Sequence, residues 1–192
     1  GLVDSVSLVS LVQDNPTSYP TKTTNDFYTL SSAEQKAQGW VRYSGNPILV
    51  NNPANLWESI VVFNPEIVKN LDGSIYTDNG GRYWMFYSGG QLDAGQVSLD
   101  QLGLAFSYDL FNWTKYVGNP VLRINNTVGG YDHGDVQLGT MIYDPGTTSF
   151  MAWYSSNQIN RSEGGDNVTI SYASSPGGTI WNKYFGNPIL KQ

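Results

Sequence analysis

Cysteine is absent from the chain, which removes disulfides, Cys-type zinc centres and thiol nucleophiles and leaves the redox compartment open. Basic residues are few: ten Lys plus Arg stand against sixteen Asp plus Glu, for a formal charge of -6. They are spread thinly, so the chain has no electrostatic footprint for nucleic acid or an anionic lipid surface, and neither partner is expected. No apolar run approaches the roughly 20 residues of a membrane-spanning helix. The opening Gly1-Leu2-Val3-Asp4 lacks the basic and long apolar regions of a signal peptide; it also lacks Met, as expected of a processed or excised chain. G-x-G-x-x-G, Walker, H-E-x-x-H and G-x-S-x-G motifs are missing, which argues against nucleotide cofactors and serine hydrolysis.

What is present is aromatic and glycine-rich. Thirteen Tyr, six Trp and 21 Gly in 192 residues, with 14% charged residues, describe aromatic strands joined by glycine turns. The chain also repeats itself. The pattern W-x-[RK]-Y-x-G-N-P-[IV]-L occurs at residues 40–49, 113–122 and 181–190, spaced by 73 and 68 residues, which marks the structural unit. Between these marks, YWMFYSGG at 83–90 pairs with FMAWYSSN at 150–157, and LGLAFS at 102–107 with ISYASS at 170–175. Ahead of each lies a β-branched run, at 60–63 continuing to 66–68 and at 140–143, closed by turn signals at Asp72-Gly73 and Asp144-Pro145-Gly146.

Four strands per repeat follow. A four-stranded antiparallel sheet cannot bury both faces alone, so such units pack radially with their first strands lining a channel. The expected fold is therefore all-β: four-stranded antiparallel β-propeller blades within one domain, residues 1–192, as a partial blade (1–49), a blade (50–122) and a second blade (123–192). Two similar sheets packed as a β-sandwich are the alternative. Upstream, 2–12 and 25–30 read as strands and 31–39 as a capped helical turn.

The order of these segments, with LGLAFSYDLFNW at 102–113 similar to the family pattern IGLATSxDLxxW, resembles the five-bladed propeller glycoside hydrolases of families 43, 32, 117 and 130, of arabinanase or fructosidase type. The likeness spans about residues 40–190. It implies hydrolysis or transfer at an anomeric carbon by two carboxyl groups, held near the starts of innermost strands. At the position of the family's Asp this chain has Asn64, followed by Pro65 and Glu66. An amide is neither base nor nucleophile, so the acid lies elsewhere or the chemistry is lost. Glu58 and Glu66 are substitutes, or else solvated strand-end residues.

The best local constellation is residues 131–135, where His133, the only histidine, stands between Asp132 and Asp135. A histidine can donate to a sugar hydroxyl or serve as acid, with a flanking Asp as base or orienter; the alternative is a turn whose Asp residues bond backbone amides. Such a loop offers oxygen ligands for calcium, but it supplies few and lacks EF-hand spacing, so no metal or other cofactor is expected and calcium stays a secondary alternative. Trp57, beside Glu58, either stacks on a sugar or packs internally, and Trp84, in mid-strand, is expected to pack between blades.

Four sequons, at Asn112, Asn125, Asn160 and Asn167, where this Asn-rich composition gives about two by chance, point to a secreted glycoprotein. The expected partner is carbohydrate. A five-bladed hydrolase needs about 300 residues at this repeat length, which leaves three readings. The chain is part of a larger hydrolase, a lectin-like ring of copies, or an extracellular or virus-tail assembly subunit completing a neighbour's sheet. The divergence between Trp57-Glu58-Ser59 and Asp132-His133-Gly134-Asp135 favours one specialised site, hence a secreted glycoside-hydrolase-like propeller.

Overall fold

The structure, a computed structural model, describes residues 42–92, 98–125, 130–158 and 167–191. The chain divides into two units, Gly1–Asn46 and Pro47–Gln192. In the first, residues 42–46 form a turn closed by the Asn46 N–H on the Tyr43 carbonyl, 3.2 Å. The strands expected at 2–12 and 25–30, the helical turn at 31–39 and Trp40 lie outside the described residues.

Among its described residues the second unit is all-β, apart from one 3-10 turn at Leu56–Glu58. Its strands are β1 (Val61–Ile67), β2 (Lys69–Asn70), β3 (Tyr83–Leu92), β4 (Ser98–Ser107), β5 (Thr114–Lys115), β6 (Asp135–Asp144), β7 (Ser149–Gln158), β8 (Asn167–Ser175) and β9 (Asn182–Lys183). Aromatic and β-branched residues fill them, as the pleated and half-buried surface of a strand favours. Strands β1, β3, β4 and β5 form one antiparallel meander, and β6, β7, β8 and β9 a second.

The two meanders share their register. Val61 pairs with Gly90 as Asp135 pairs with Asn157, and each inner strand then shifts register, between Phe63 and Glu66 and between Leu138 and Thr140. The β-branched run at 60–68 is thus one bulged strand, with Asn64 in the bulge at φ 47°. Its extension β2 was not foreseen: Lys69 and Asn70 run parallel to Ile142 and Tyr143 of β6, and Asp100 of β4 meets Asp135 of β6 in a single parallel pair. Those contacts make the sheet mixed.

The main core lies between the meanders, where Trp84, Phe86, Leu102 and Leu104 pack with Val136, Leu138, Phe150 and Tyr154. The Trp84 and Phe150 rings stack at 5.1 Å, 10° from parallel, which is the packing expected of Trp84.

The repeated motif works as a staple on each meander. Asn119 clamps Leu104, accepting from its N–H (2.9 Å) and donating to its carbonyl (3.0 Å); Asn187 does the same to Tyr172, at 2.8 Å in both directions. The indoles of Trp113 and Trp181 each donate to a carbonyl three residues earlier, at 3.0 Å. A Cβ on Gly118 or Gly186 would come within 2.5 and 2.6 Å of the Tyr116 and Tyr184 rings, which is why glycine holds those positions.

Replacing Asn119 with Ala orphans the buried Leu104 N–H. The expected loss is ~1–3 kcal/mol, read as a lower denaturant midpoint at unchanged slope.

Candidate functional site

Carboxyl groups meet where the two meanders join. Asp100, near the start of β4, and Asp135, the first residue of β6, are cross-strand partners, and the Asp100 N–H donates to Asp135 Oδ1 at 3.1 Å. Strand alternation sets Gln137 on the same face as Asp135, and its Nε2 donates to Asp100 Oδ2 at 2.7 Å. Asn157, the β7 partner of Asp135, donates from Nδ2 to Asp135 Oδ2 at 3.3 Å.

The two acids are thus tied through the Asp100 N–H and lie close enough for the charge of one to act on the other. Burial first, and the charge of Asp100 second, push Asp135 up to about 6. Asn157 Oδ1, on the side chain that donates to Asp135, and His133 Nδ1 are each buried without a hydrogen-bond partner.

Asp100 and Asp135 therefore form one acidic dyad, in which Asp135 can give or take a proton near pH 6.

Two of the other candidate acids, Glu58 and Asp132, face lysines. Glu58 is 1% exposed; it accepts from Lys115 Nζ at 2.7 Å and from the Tyr87 hydroxyl at 3.1 Å. Asp132, fully buried, is paired with Lys183. Lys115 and Lys183 occupy the same place in the repeated motif, so Glu58 and Asp132 are equivalent anchors for it. Burial, then the Glu58 charge, pushes the Tyr87 hydroxyl up; burial, then Tyr131, does the same to Tyr154. The divergence read between Glu58 and the 132–135 segment thus moves three residues on, to Val61 in one meander and Asp135 in the other.

His133 sits half-buried beside neither flanking partner: Asp132 turns to Lys183 and Asp135 to Asp100. Trp57 takes the internal of its two readings. It is buried, tilted against Tyr87 at 5.7 Å, and a Cβ on Gly89 or Gly103 would come within 2.5 Å of its ring. Glu66 is half-buried on β1 opposite Phe86, and Asn64 is exposed in the bulge. Of the sequons, Asn112 is exposed in the turn after β4, donating to Asp109 at 2.7 Å, and Asn125 is exposed. Asn160 and the Asn167 side chain lie outside the described residues. Among the described residues no three His, Asp or Glu side chains gather as metal ligands.

Sequence reasoning missed Asp100, Gln137 and Asn157. No local motif marks Asp100, whose partner is 35 residues away; the available signal was an acid just ahead of the LGLAFS strand.

No protein-family model matches the chain, and no curated protein matches it. Solved structures do. It is similar to a structure of the GH130 family described as containing hydrolases that target β-1,2 mannosidic linkages in Candida mannan (TM-score 0.57, 18% identity, 77% of this chain and 42% of that one). A glycosyl hydrolase from Bacteroides ovatus matches at TM-score 0.55 and 18% identity, over 74% of this chain and 39% of that one. A Bombyx mori GH32 β-fructofuranosidase variant in complex with sucrose matches at TM-score 0.50 and 18% identity, over 83% and 29%. The chain has the fold of propeller-type glycoside hydrolases. It spans less than half the length of each of these structures.

Two outcomes are expected. Because Asp135 is raised above its unfolded value, the native state holds its proton more tightly, and stability falls as pH rises from about 4 to about 6. Asp135→Asn should therefore raise Tm at pH 7 and leave it nearly unchanged below pH 4, in melts followed across pH. Lys183→Met strands the buried Asp132 carboxylate and should cost ~3–5 kcal/mol by chemical unfolding.

Proposed function

We propose that the protein is a secreted carbohydrate-active propeller, a glycoside-hydrolase-like part of a five-bladed assembly, that hydrolyses glycosidic linkages of a polysaccharide or oligosaccharide. The observation that carries this is the Asp100–Asp135 dyad at the start of an inner strand, within a fold shared with glycoside hydrolases. In this reading the dyad is the acid. Its proton passes to the glycosidic oxygen as the C–O bond breaks, the negative charge stays shared across both carboxyls, and water adds to the anomeric carbon while a second carboxylate takes its proton. That carboxylate lies outside the dyad. Of the remaining candidates, Glu66 alone is neither paired with a lysine nor fully buried. The orphaned Asn157 oxygen and His133 nitrogen would take up sugar hydroxyls. The exposed sequon at Asn112 supports an extracellular setting.

A second reading, a lectin-like module that binds sugar without cleaving it, is favoured by Asn64 standing where the resembled families have an Asp.

Both are tested on a panel of plant, algal and microbial glycans, by reducing-end release and by calorimetric binding. Hydrolysis predicts turnover that falls at least ~100-fold in Asp135→Asn while binding persists. Binding with no turnover in the wild-type chain would establish the second reading, and a chain that binds no glycan would sink both.

A further inference from the structure

By register, Asp135, Gln137 and Asn157 of the second meander correspond to Val61, Phe63 and Gly90 of the first, and Asp100 of the first corresponds to Val168 of the second. Four polar residues at the junction thus stand where the repeat elsewhere has two valines, a phenylalanine and a glycine. Gln137 belongs to this set as closely as the two acids do.

It follows Asp135 by two residues on β6, so its side chain leaves on the same face. From there its Nε2 donates to Asp100 Oδ2 at 2.7 Å, while the Asp100 N–H donates to Asp135 Oδ1 at 3.1 Å. The two bonds close a loop across the junction: β4 holds the carboxyl of β6 by its backbone, and β6 holds the carboxyl of β4 through Gln137. An amide nitrogen only donates, so the Gln137 contact favours the ionised form of Asp100. The Asn157 donor on Asp135 is longer, at 3.3 Å. Among the described residues, β4 sets Asp100 against Asp135 and β7 sets the neutral Asn157 there. On the segment leading into β6, His133 precedes Asp135 and the Asp132 carboxyl turns to Lys183 of β9. The charge of Asp100 is, after burial, the second cause that raises Asp135.

We propose that Gln137 is the positioning residue of the dyad, holding Asp100 ionised and against Asp135, so that Asp135 is the member that carries the proton. As a choice of acid for the proposed hydrolysis this rests on that reading; as a placement of charge it does not.

Site-resolved carboxyl NMR titration of the full 192-residue chain tests it. At about pH 5, between the ordinary carboxyl range and the raised value of Asp135, the wild-type chain should show Asp100 ionised and Asp135 protonated. Gln137→Met keeps the length of the side chain and removes the donor. The Asp135 midpoint should then fall by about one pH unit, as the loss of one charge-assisted hydrogen bond at its neighbour implies. Asp100→Asn should lower it likewise, and adding Gln137→Met to Asp100→Asn should lower it no further, since Gln137 acts through Asp100. A protonated Asp100 in the wild-type chain overturns the proposal without any variant. So does a Gln137→Met chain with the wild-type far-UV spectrum whose Asp135 midpoint stays at about 6, or one that shifts equally in the Asp100→Asn background. In glycan turnover, the alkaline limb of kcat should move down with the midpoint in Gln137→Met. A moved midpoint in a chain without turnover supports the placement and sinks only the hydrolytic reading.

Discussion

A four-stranded antiparallel sheet has two faces, and one meander cannot bury both. Everything else in the described unit follows from that constraint. The Trp84 and Phe150 rings stack on one another because each meander needs the other to cover its face. Strands that had no reason to meet in the sequence thereby bring Asp100 and Asp135 together. The acidic dyad is a consequence of packing one meander on the other.

Within each meander a second requirement operates. The terminal strands β5 and β9 are two residues long and would fray unless tied down. A lysine on a buried acid and an asparagine on a backbone amide and carbonyl do the tying in both copies. This explains why Glu58 and Asp132, attractive as catalytic acids by position, sit in ion pairs. A buried carboxylate held by a lysine is a costly structural element to disturb. Among the described residues no lysine or arginine pairs with Asp135, and burial and its acidic neighbour raise it to about 6.

The repeat, the four-strand order and the place of Trp84 were legible in the sequence. Periodicity and turn chemistry are local, and a motif recurring at a fixed spacing reports a unit that packs on its neighbours. The role of Lys115 and Lys183 was half legible: their recurrence was visible and their partners were not. Trp57 could be read two ways, because an indole beside an acid at a strand entrance looks the same in a core as in a site. The glycines opposite it, Gly89 and Gly103, decide the matter by leaving room for the ring.

By itself the sequence determined the strands, their grouping into repeated meanders and the family of folds they belong to, since each depends on the alternation and turn residues of a few neighbouring positions. Tertiary structure alone decided which acids are anchors and which form a dyad. That distinction rests on distance to a lysine 57 residues away for Glu58 and to an aspartate 35 residues away for Asp135, and only the packing of one meander on the other sets those distances.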